Sequence, residues 1–435
     1  MNKSFPFKQK KFSGWSTLAG AMLAYGCICG DVTYAYGVFL PSMNEAFGWP
    51  RSALSGPYTL FLITGGLLGF LITGGLLGPL VGWTIARFGA RKNVIFGNVF
   101  AVLGLLGMAQ VREIWQVYLF FGVMGGLGLA FSEFLTMTTV INHWFIRKRS
   151  LALGLLFASG GVGGFLLPPL IILFISGLGW RWAWVCLSLV HLLLAVVLAG
   201  ILIRDTPESE GQVPDGMTTN NSFENLRSSG QGFIYSTSAD WTVHDSMRTP
   251  ALWLLLILFS AVLFVHNMMT THQVAYLRDL HYSPMVSATA LGLMLGTSIL
   301  GRLISGILGM RFDGRGLAAV FLGCMALGIV SLLNAGTIFF VYLYSILTGI
   351  GFGGMIVLLP NVMGAYFGRK HFSRIVGWTT PVVTLVSAVS PILAGFFYDR
   401  TGNYTIPFAA AAVLLFVSIV LAFLARPPGV PGAAK

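Results

Sequence analysis

Apolar residues run through this chain in long blocks, and the polar ones collect in the gaps. The blocks lie at roughly 15–40, 55–86, 93–111, 115–142, 150–173, 181–203, 250–272, 285–309, 316–334, 337–364, 374–398 and 404–425. Each reaches or exceeds the ~20 residues that a helix needs to cross ~30 Å of hydrocarbon. The first is long enough to span, so it reads as a membrane helix and not as a cleavable leader. The gaps are short except 204–249, which is acidic in its first half and rich in Ser, Thr, Asn and Gly. That stretch reads as a partly disordered linker between two halves of six helices, 1–203 and 250–435. The pattern predicts an all-α polytopic membrane protein with twelve transmembrane helices.

Composition agrees. Of 435 residues, 56% are hydrophobic and 9% charged, against about 25% charged in soluble domains. Cys27, Cys29, Cys186 and Cys324 all fall inside apolar blocks. Cys27 and Cys29 sit two apart and so on different helix faces, which predicts neither a disulfide nor a metal site.

The net charge of +12 is distributed by side. Of the 26 Lys and Arg, 20 lie in the gaps on the side of both termini; Arg51, Arg112, Arg181, Arg278 and Arg400 lie on the other. The excess predicts cytoplasmic termini and a cytoplasmic long loop, in a plasma (inner) membrane. This asymmetry explains the positive charge without any nucleic-acid partner. The halves also repeat. Gly82-x4-Arg87-Phe88-x2-Arg91 returns 224 residues later as Gly306-x4-Arg311-Phe312-x2-Arg315. Trp144-Phe145-x-Arg147-Lys148 returns after 222 residues as Tyr366-Phe367-x-Arg369-Lys370. Two signatures at nearly one offset predict a duplicated six-helix unit, with a substrate site where the halves meet.

Arg302 is the cation set well inside an apolar block, LGLMLGTSILGRLISGILGMR. A guanidinium keeps its charge in the bilayer, so it must face a partner, a cavity or an anion. Two carboxyls also lie within blocks. Asp31 is on the outer half of the first and, at helical spacing, shares a face with Tyr34 and Val38; Glu133 is in the inner half of the fourth. Low dielectric favours a neutral carboxyl, which makes both candidates for carrying a proton. In the seventh block His266 adjoins Asn267, deeper than His272, which is placed to gate the outer boundary or to face water. Phe352, in GIGFGG, sits where glycines allow close helix approach and is a candidate cavity wall with Tyr34. No nucleophile–base set or metal spacing appears, so neither an enzyme nor a cofactor is expected.

Gly78-Pro79-x2-Gly82-x4-Arg87-x-Gly89-x-Arg91-Lys92 resembles the loop signature of the major facilitator superfamily, with Ala86 where that family usually has Asp. Trp144-Phe145-x-Arg147-Lys148-Arg149-x-Leu151-Ala152-x-Gly154 is similar to the motif that opens the fifth span of monocarboxylate transporters. Tyr34-x2-Gly37-Val38-Phe39, Phe47-Gly48-Trp49 and Gly301-Arg302 resemble the same family and its oxalate/formate exchanger relatives. The resemblance implies the major facilitator fold and an Arg302 that faces a central cavity. It also implies differences. The exchangers have a Lys in the eleventh span, where Gly377–Tyr398 holds neither Lys nor Arg. Mammalian monocarboxylate carriers have a Lys near the position of Tyr34 and an Asp where this chain has Ser298.

One cation suits one carboxylate. The expected function is therefore secondary transport of a small monocarboxylate such as lactate or pyruvate, with proton symport, by rocking of the halves. Organic-anion exchange and a non-transporting anion sensor are the alternatives. Arg302, Tyr34, Phe352 and Asn267 are the expected substrate contacts; Asp31, Glu133 and His266 are the proton candidates. A further oddity is the tandem copy FLITGGLLG at 61–69 and 70–78, which makes the second block longer than a membrane requires.

Overall fold

A computed structural model describes residues 12–73, 84–85, 87–132, 134–215, 237, 241–309, 311–368 and 372–429. It is almost wholly helical. The first half contributes α1 (Gly14–Phe47), α2 (Arg51–Thr73), α3 (Ala90–Met108), α4 (Ile114–Trp144), α5 (Arg149–Leu178) and α6 (Trp180–Leu202). The second contributes α7 (Pro250–Asp279), α8 (Pro284–Leu308), α9 (Gly314–Leu333), α10 (Ile338–Phe367), α11 (Arg374–Thr401) and α12 (Thr405–Leu424).

Among the described residues, ten of the twelve are long and apolar enough to cross a membrane; α2 and α3 are the other two. For α2 the described part stops at Thr73, and most of the second FLITGGLLG copy lies outside the described residues. For α3 the cause is polarity, since its 19 residues include Arg91, Lys92, Asn93 and Asn98. Asn93 and Asn98 are buried against the other helices of their half, so this helix spans because its neighbours cover its amides.

Local chemistry sets the helix starts. Thr249 and Ser283 accept hydrogen bonds from the Leu252 and Val286 N–H groups, and each is followed by proline at the first helical position. At α3 the carboxylate comes from elsewhere in the chain. The Arg91 N–H donates to Asp205, 2.7 Å away, just beyond α6. The loop whose signature lacks an acid at position 86 therefore meets one from Asp205, at a helix N-terminus that favours negative charge. The start of the long loop is also docked, not loose. Asp215 accepts from the Lys148 N–H at 2.8 Å and from the Ile146 and Arg147 N–H groups at the α4–α5 turn.

Three segments widen from the α-helical turn to the π-helical one: Ile28–Thr33 in α1, Tyr118–Gly125 in α4 and Leu192–Leu198 in α6. The halves meet along α1 against α7, α2 against α11 and α5 against α8. Inside the second half, α8 lies directly on α10. A Cβ on Gly353 would overlap the Ser298 carbonyl oxygen, so backbone packs on backbone at this seam.

That seam generates a prediction. Gly353→Val should cost about 1–3 kcal/mol of overpacking and lower the Tm of the purified protein by several degrees. Gly306→Ala on the same α8, where a Cβ meets nothing within 4 Å, should leave the Tm unchanged.

Candidate functional site

Midway along the helices, α1, α7, α8 and α10 bring four expected residues together. His266 of α7 lies flat on Phe352 of α10, ring centroids 3.5 Å apart and planes within 1°. Tyr34 of α1 meets the same imidazole edge-on at 6.2 Å. Arg302 of α8 is close enough to act on His266 electrostatically. Its Nη1 donates to the Phe157 carbonyl oxygen on α5 at 2.5 Å, so Arg302 reaches across to the first half. Asn267, the next residue along α7, is buried, and its backbone carbonyl oxygen accepts from the Thr271 hydroxyl at 2.8 Å.

This centre is under-satisfied. Arg302 Nε and His266 Nδ1 are buried, and among the described residues neither has a hydrogen-bond partner. The Ser305 hydroxyl, one turn from Arg302, is in the same condition. An unpaired buried polar group costs about 1–3 kcal/mol, more when charged. A cation, an imidazole nitrogen and two aromatic rings are thus gathered where the halves meet.

Asp31 does not join it. The α-helical period puts Asp31 on the face of Tyr34, but the π-helical turn carries Asp31 to the other side. Its carboxylate oxygens lie 2.9 and 3.0 Å from His191 Nδ1 on α6. Nε2 of the same ring is 2.9 Å from Asn98 Oδ1 on α3. Asp31, His191 and Asn98 are all fully buried inside the first half. Glu133 lies outside the described residues. His191 escaped the sequence reading although a lone histidine in an apolar block was a visible signal.

The membrane face opposite the α1 start and α12 end is closed by a network joining the halves. Arg51, at the start of α2, grips Asp279 at the end of α7 with both terminal nitrogens, at 2.7 and 2.6 Å. It also donates to the Tyr404 hydroxyl at 3.0 Å and lies 3.7 Å over the Tyr398 ring. Asp399 accepts from the Arg51 and Ser52 N–H groups, both at 2.9 Å. One turn deeper, Ser55 of α2 and His272 of α7 are 3.2 Å apart, and the Thr59 hydroxyl donates to the Ala388 carbonyl oxygen on α11 at 2.6 Å. His272 thus belongs to a gate-like contact. On the other face, among the described residues, Asp205 and Asp215 bond within the first half, and Tyr366 near the end of α10 donates to the Ala425 carbonyl oxygen at 2.8 Å within the second.

Comparison with known proteins bears on the chain as a whole. The family model described as Major Facilitator Superfamily matches residues 21–335 and 276–435. Monocarboxylate transporter 13 of Bos taurus is 25% identical over 92% of this chain and 87% of its own length. Monocarboxylate transporter 1 of Rattus norvegicus is 25% identical over 94% and 84%. An uncharacterized MFS-type transporter of Bacillus subtilis, YcxA, is 24% identical over 88% of each. Among solved structures, a bacterial homolog of the human lysosomal transporter Spinster, inward-facing and occupied, superposes with TM-score 0.69 at 15% identity, covering 96% of this chain and 97% of that one. The xylose transporter XylE of E. coli, partially occluded and inward open, gives 0.69 at 13% identity, over 95% and 98%. The solved structures establish the fold.

The closed face generates the second prediction. In a background with the four native cysteines replaced, a cysteine at Ser55 should react slowly with an impermeant thiol reagent, because Ser55 is fully buried beneath Arg51. Adding Arg51→Gln should speed labelling at least tenfold. An unchanged rate would mean that Arg51 does not hold this face shut.

Proposed function

The chain belongs to the Major Facilitator Superfamily and is a multi-pass membrane transporter, and on that footing we propose that it carries a small monocarboxylate of the lactate or pyruvate kind, together with a proton. The observation that carries this reading is the pair of unpartnered buried atoms, Arg302 Nε and His266 Nδ1, at the Phe352–Tyr34 stack. A carboxylate accepts from the guanidinium in a charge-assisted, two-pronged arrangement and satisfies the cation. In one tautomer His266 Nδ1–H donates to the same carboxylate. In the other, bare Nδ1 accepts from a hydroxyl, as on a 2-hydroxy acid. Phe352 and Tyr34 cover the short apolar part of the substrate, and Asn267 supplies a further amide. The names of the monocarboxylate transporters among the relatives support the same class.

One cation matches one negative charge, and Ser298 stands one turn from Arg302 without competing for it. The positive-inside asymmetry places the termini in the cytoplasm, in the plasma (inner) membrane. The Arg51–Asp279 face is then the outer one, closed here, and substrate reaches Arg302 from the cytoplasmic side. Rocking of the halves must part Arg51 from Asp279 and release Arg302 from the Phe157 carbonyl. A proton on Asp31, Glu133 or His266 accompanies the anion. The second reading, exchange of one organic anion for another, is favoured by the lack of any carboxyl one turn before Arg302.

Uptake of radiolabelled lactate into vesicles holding the purified protein tests the site. Arg302→Lys keeps the charge but loses the fork, and should reduce uptake at least tenfold while leaving the Tm within a few degrees. Near-normal lactate affinity in Arg302→Lys or Arg302→Gln would remove Arg302 from the site. An inward proton gradient should raise wild-type accumulation several-fold; dependence on internal carboxylate with no response to pH would select exchange instead.

A further inference from the structure

The Asp31–His191–Asn98 arrangement fixes where a proton can sit. Asn98 Nδ2 donates to the Val94 carbonyl oxygen at 2.8 Å, and a carbonyl can only accept. That contact sets the amide orientation, so Oδ1 faces His191. Nε2 must therefore carry a hydrogen and donate. The other ring nitrogen, Nδ1, lies within 3.0 Å of both Asp31 oxygens. With Asp31 ionised and Nδ1 bare, lone pairs would face one another in a site closed to water, so the arrangement requires one more proton between them. It is either Asp31 carboxylate with His191 imidazolium, or Asp31 carboxyl with neutral His191. Passing between the two breaks an O–H bond on Asp31 and forms an N–H bond on Nδ1, with no other reactant.

We infer that Asp31 and His191 form a joint binding site for a single proton, held in register by Asn98, and that this proton is the one carried with the substrate. The second clause rests on the transport reading above; the first does not. No other charged side chain acts on Asp31 among the described residues. The further titratable groups nearby are Cys27 and Cys29 on α1 itself. Against the neighbouring Gly30, α5 places Gly163 and Leu167, and against Val32, α4 places Gly125, none of which titrates. Glu133 lies outside the described residues.

Both partners sit at π-helical turns. Asp31 is within Ile28–Thr33, and His191 immediately precedes Leu192–Leu198. Such turns mark places where a helix is re-registered for function. The α1 turn also links the two sites: its closing bond runs from the Tyr34 N–H to the Cys29 carbonyl oxygen at 2.9 Å, and Tyr34 meets His266. A change in charge at Asp31 thus bears on the substrate wall through a single helical turn. The proton site lies wholly within the first half, so its coupling to the anion site runs through this turn of α1.

Two measurements separate the claims. First, the purified full chain is titrated potentiometrically in detergent without substrate, against the isosteric double variant Asp31→Asn with His191→Gln. Over the accessible pH range the wild type should take up at least one proton per chain that the double variant does not, and each single variant should change the pH at which that proton is taken up. Equal uptake by wild type and double variant would overturn the joint site, whatever lactate does. Second, vesicles with radiolabelled lactate should show that the two single variants and the double all lose pH-driven accumulation at least tenfold, and to the same extent, while lactate-for-lactate exchange stays within about twofold. Equal, non-additive loss is the mark of two groups holding one proton. Wild-type accumulation in either single variant would overturn the coupling role. Absence of lactate exchange in the wild type would overturn the function reading alone, because the titration stands without it. Should an Asp31 variant fail to fold, Asn98→Leu, which removes the acceptor at Nε2, must still shift the titration; no shift would remove Asn98 as the positioning residue and the joint site with it.

Discussion

A guanidinium cannot shed its charge to suit a low-dielectric surrounding, and this constraint at Arg302 organises the centre of the protein. Hydrocarbon cannot accept it, so α8 must turn it toward the interface between the halves. There it takes the Phe157 carbonyl with one terminal nitrogen and leaves Nε without a partner. The neighbouring ring is also incompletely bonded, for His266 is fixed by stacking on Phe352 and not by hydrogen bonds to Nδ1. A cation that must be answered, beside a polar atom that is not, is the physical ground for the anion site proposed above. The bond to Phe157 adds a second consequence. Because the carbonyl belongs to the opposite half, an anion that competes for Arg302 also weakens a tie between the halves, so binding and rocking share one contact.

The rest of the molecule divides this work. The first half buries the Asp31–His191 pair, the second half supplies Arg302, His266 and Phe352, and Tyr34 lies between them on α1. At the closed face, Arg51 is paired in two-pronged fashion with Asp279, and its side chain is 9% exposed against 33% for Asp279. An ion pair so placed resists separation while sealed and pays less once water reaches it. It therefore holds one state without preventing the other.

Much of this was legible in the sequence because composition is a strong signal in membranes. The apolar blocks located the helices, and Arg302 declared itself as a charge with no place in lipid. His266 could be named by its depth, and Phe352 by its place among the glycines of GIGFGG. What could not be read was orientation within a helix where the turn itself changes. Asp31 and Tyr34 share a face at the α-helical period, and the π-helical turn at Ile28–Thr33 separates them; nothing in ICGDVT announces it. Long-range pairings were also hidden. Arg51 and Asp279 lie 228 residues apart, and each on its own reads as an ordinary charge at a helix end. The polar helix α3 was found by its block of apolar residues, but its amides made sense only once Asn98 was seen against His191.

The claim on which everything else leans is that Arg302 and its neighbours bind a carboxylate. The most direct measurement is an experimental structure of the protein with a bromine-tagged short monocarboxylate, read by the anomalous signal of the bromine. The account predicts one bromine peak against Phe352 and Tyr34, with the carboxylate within hydrogen-bond distance of the Arg302 guanidinium and of His266 Nδ1. A bromine peak elsewhere, with Arg302 bonded to protein atoms alone, would contradict it.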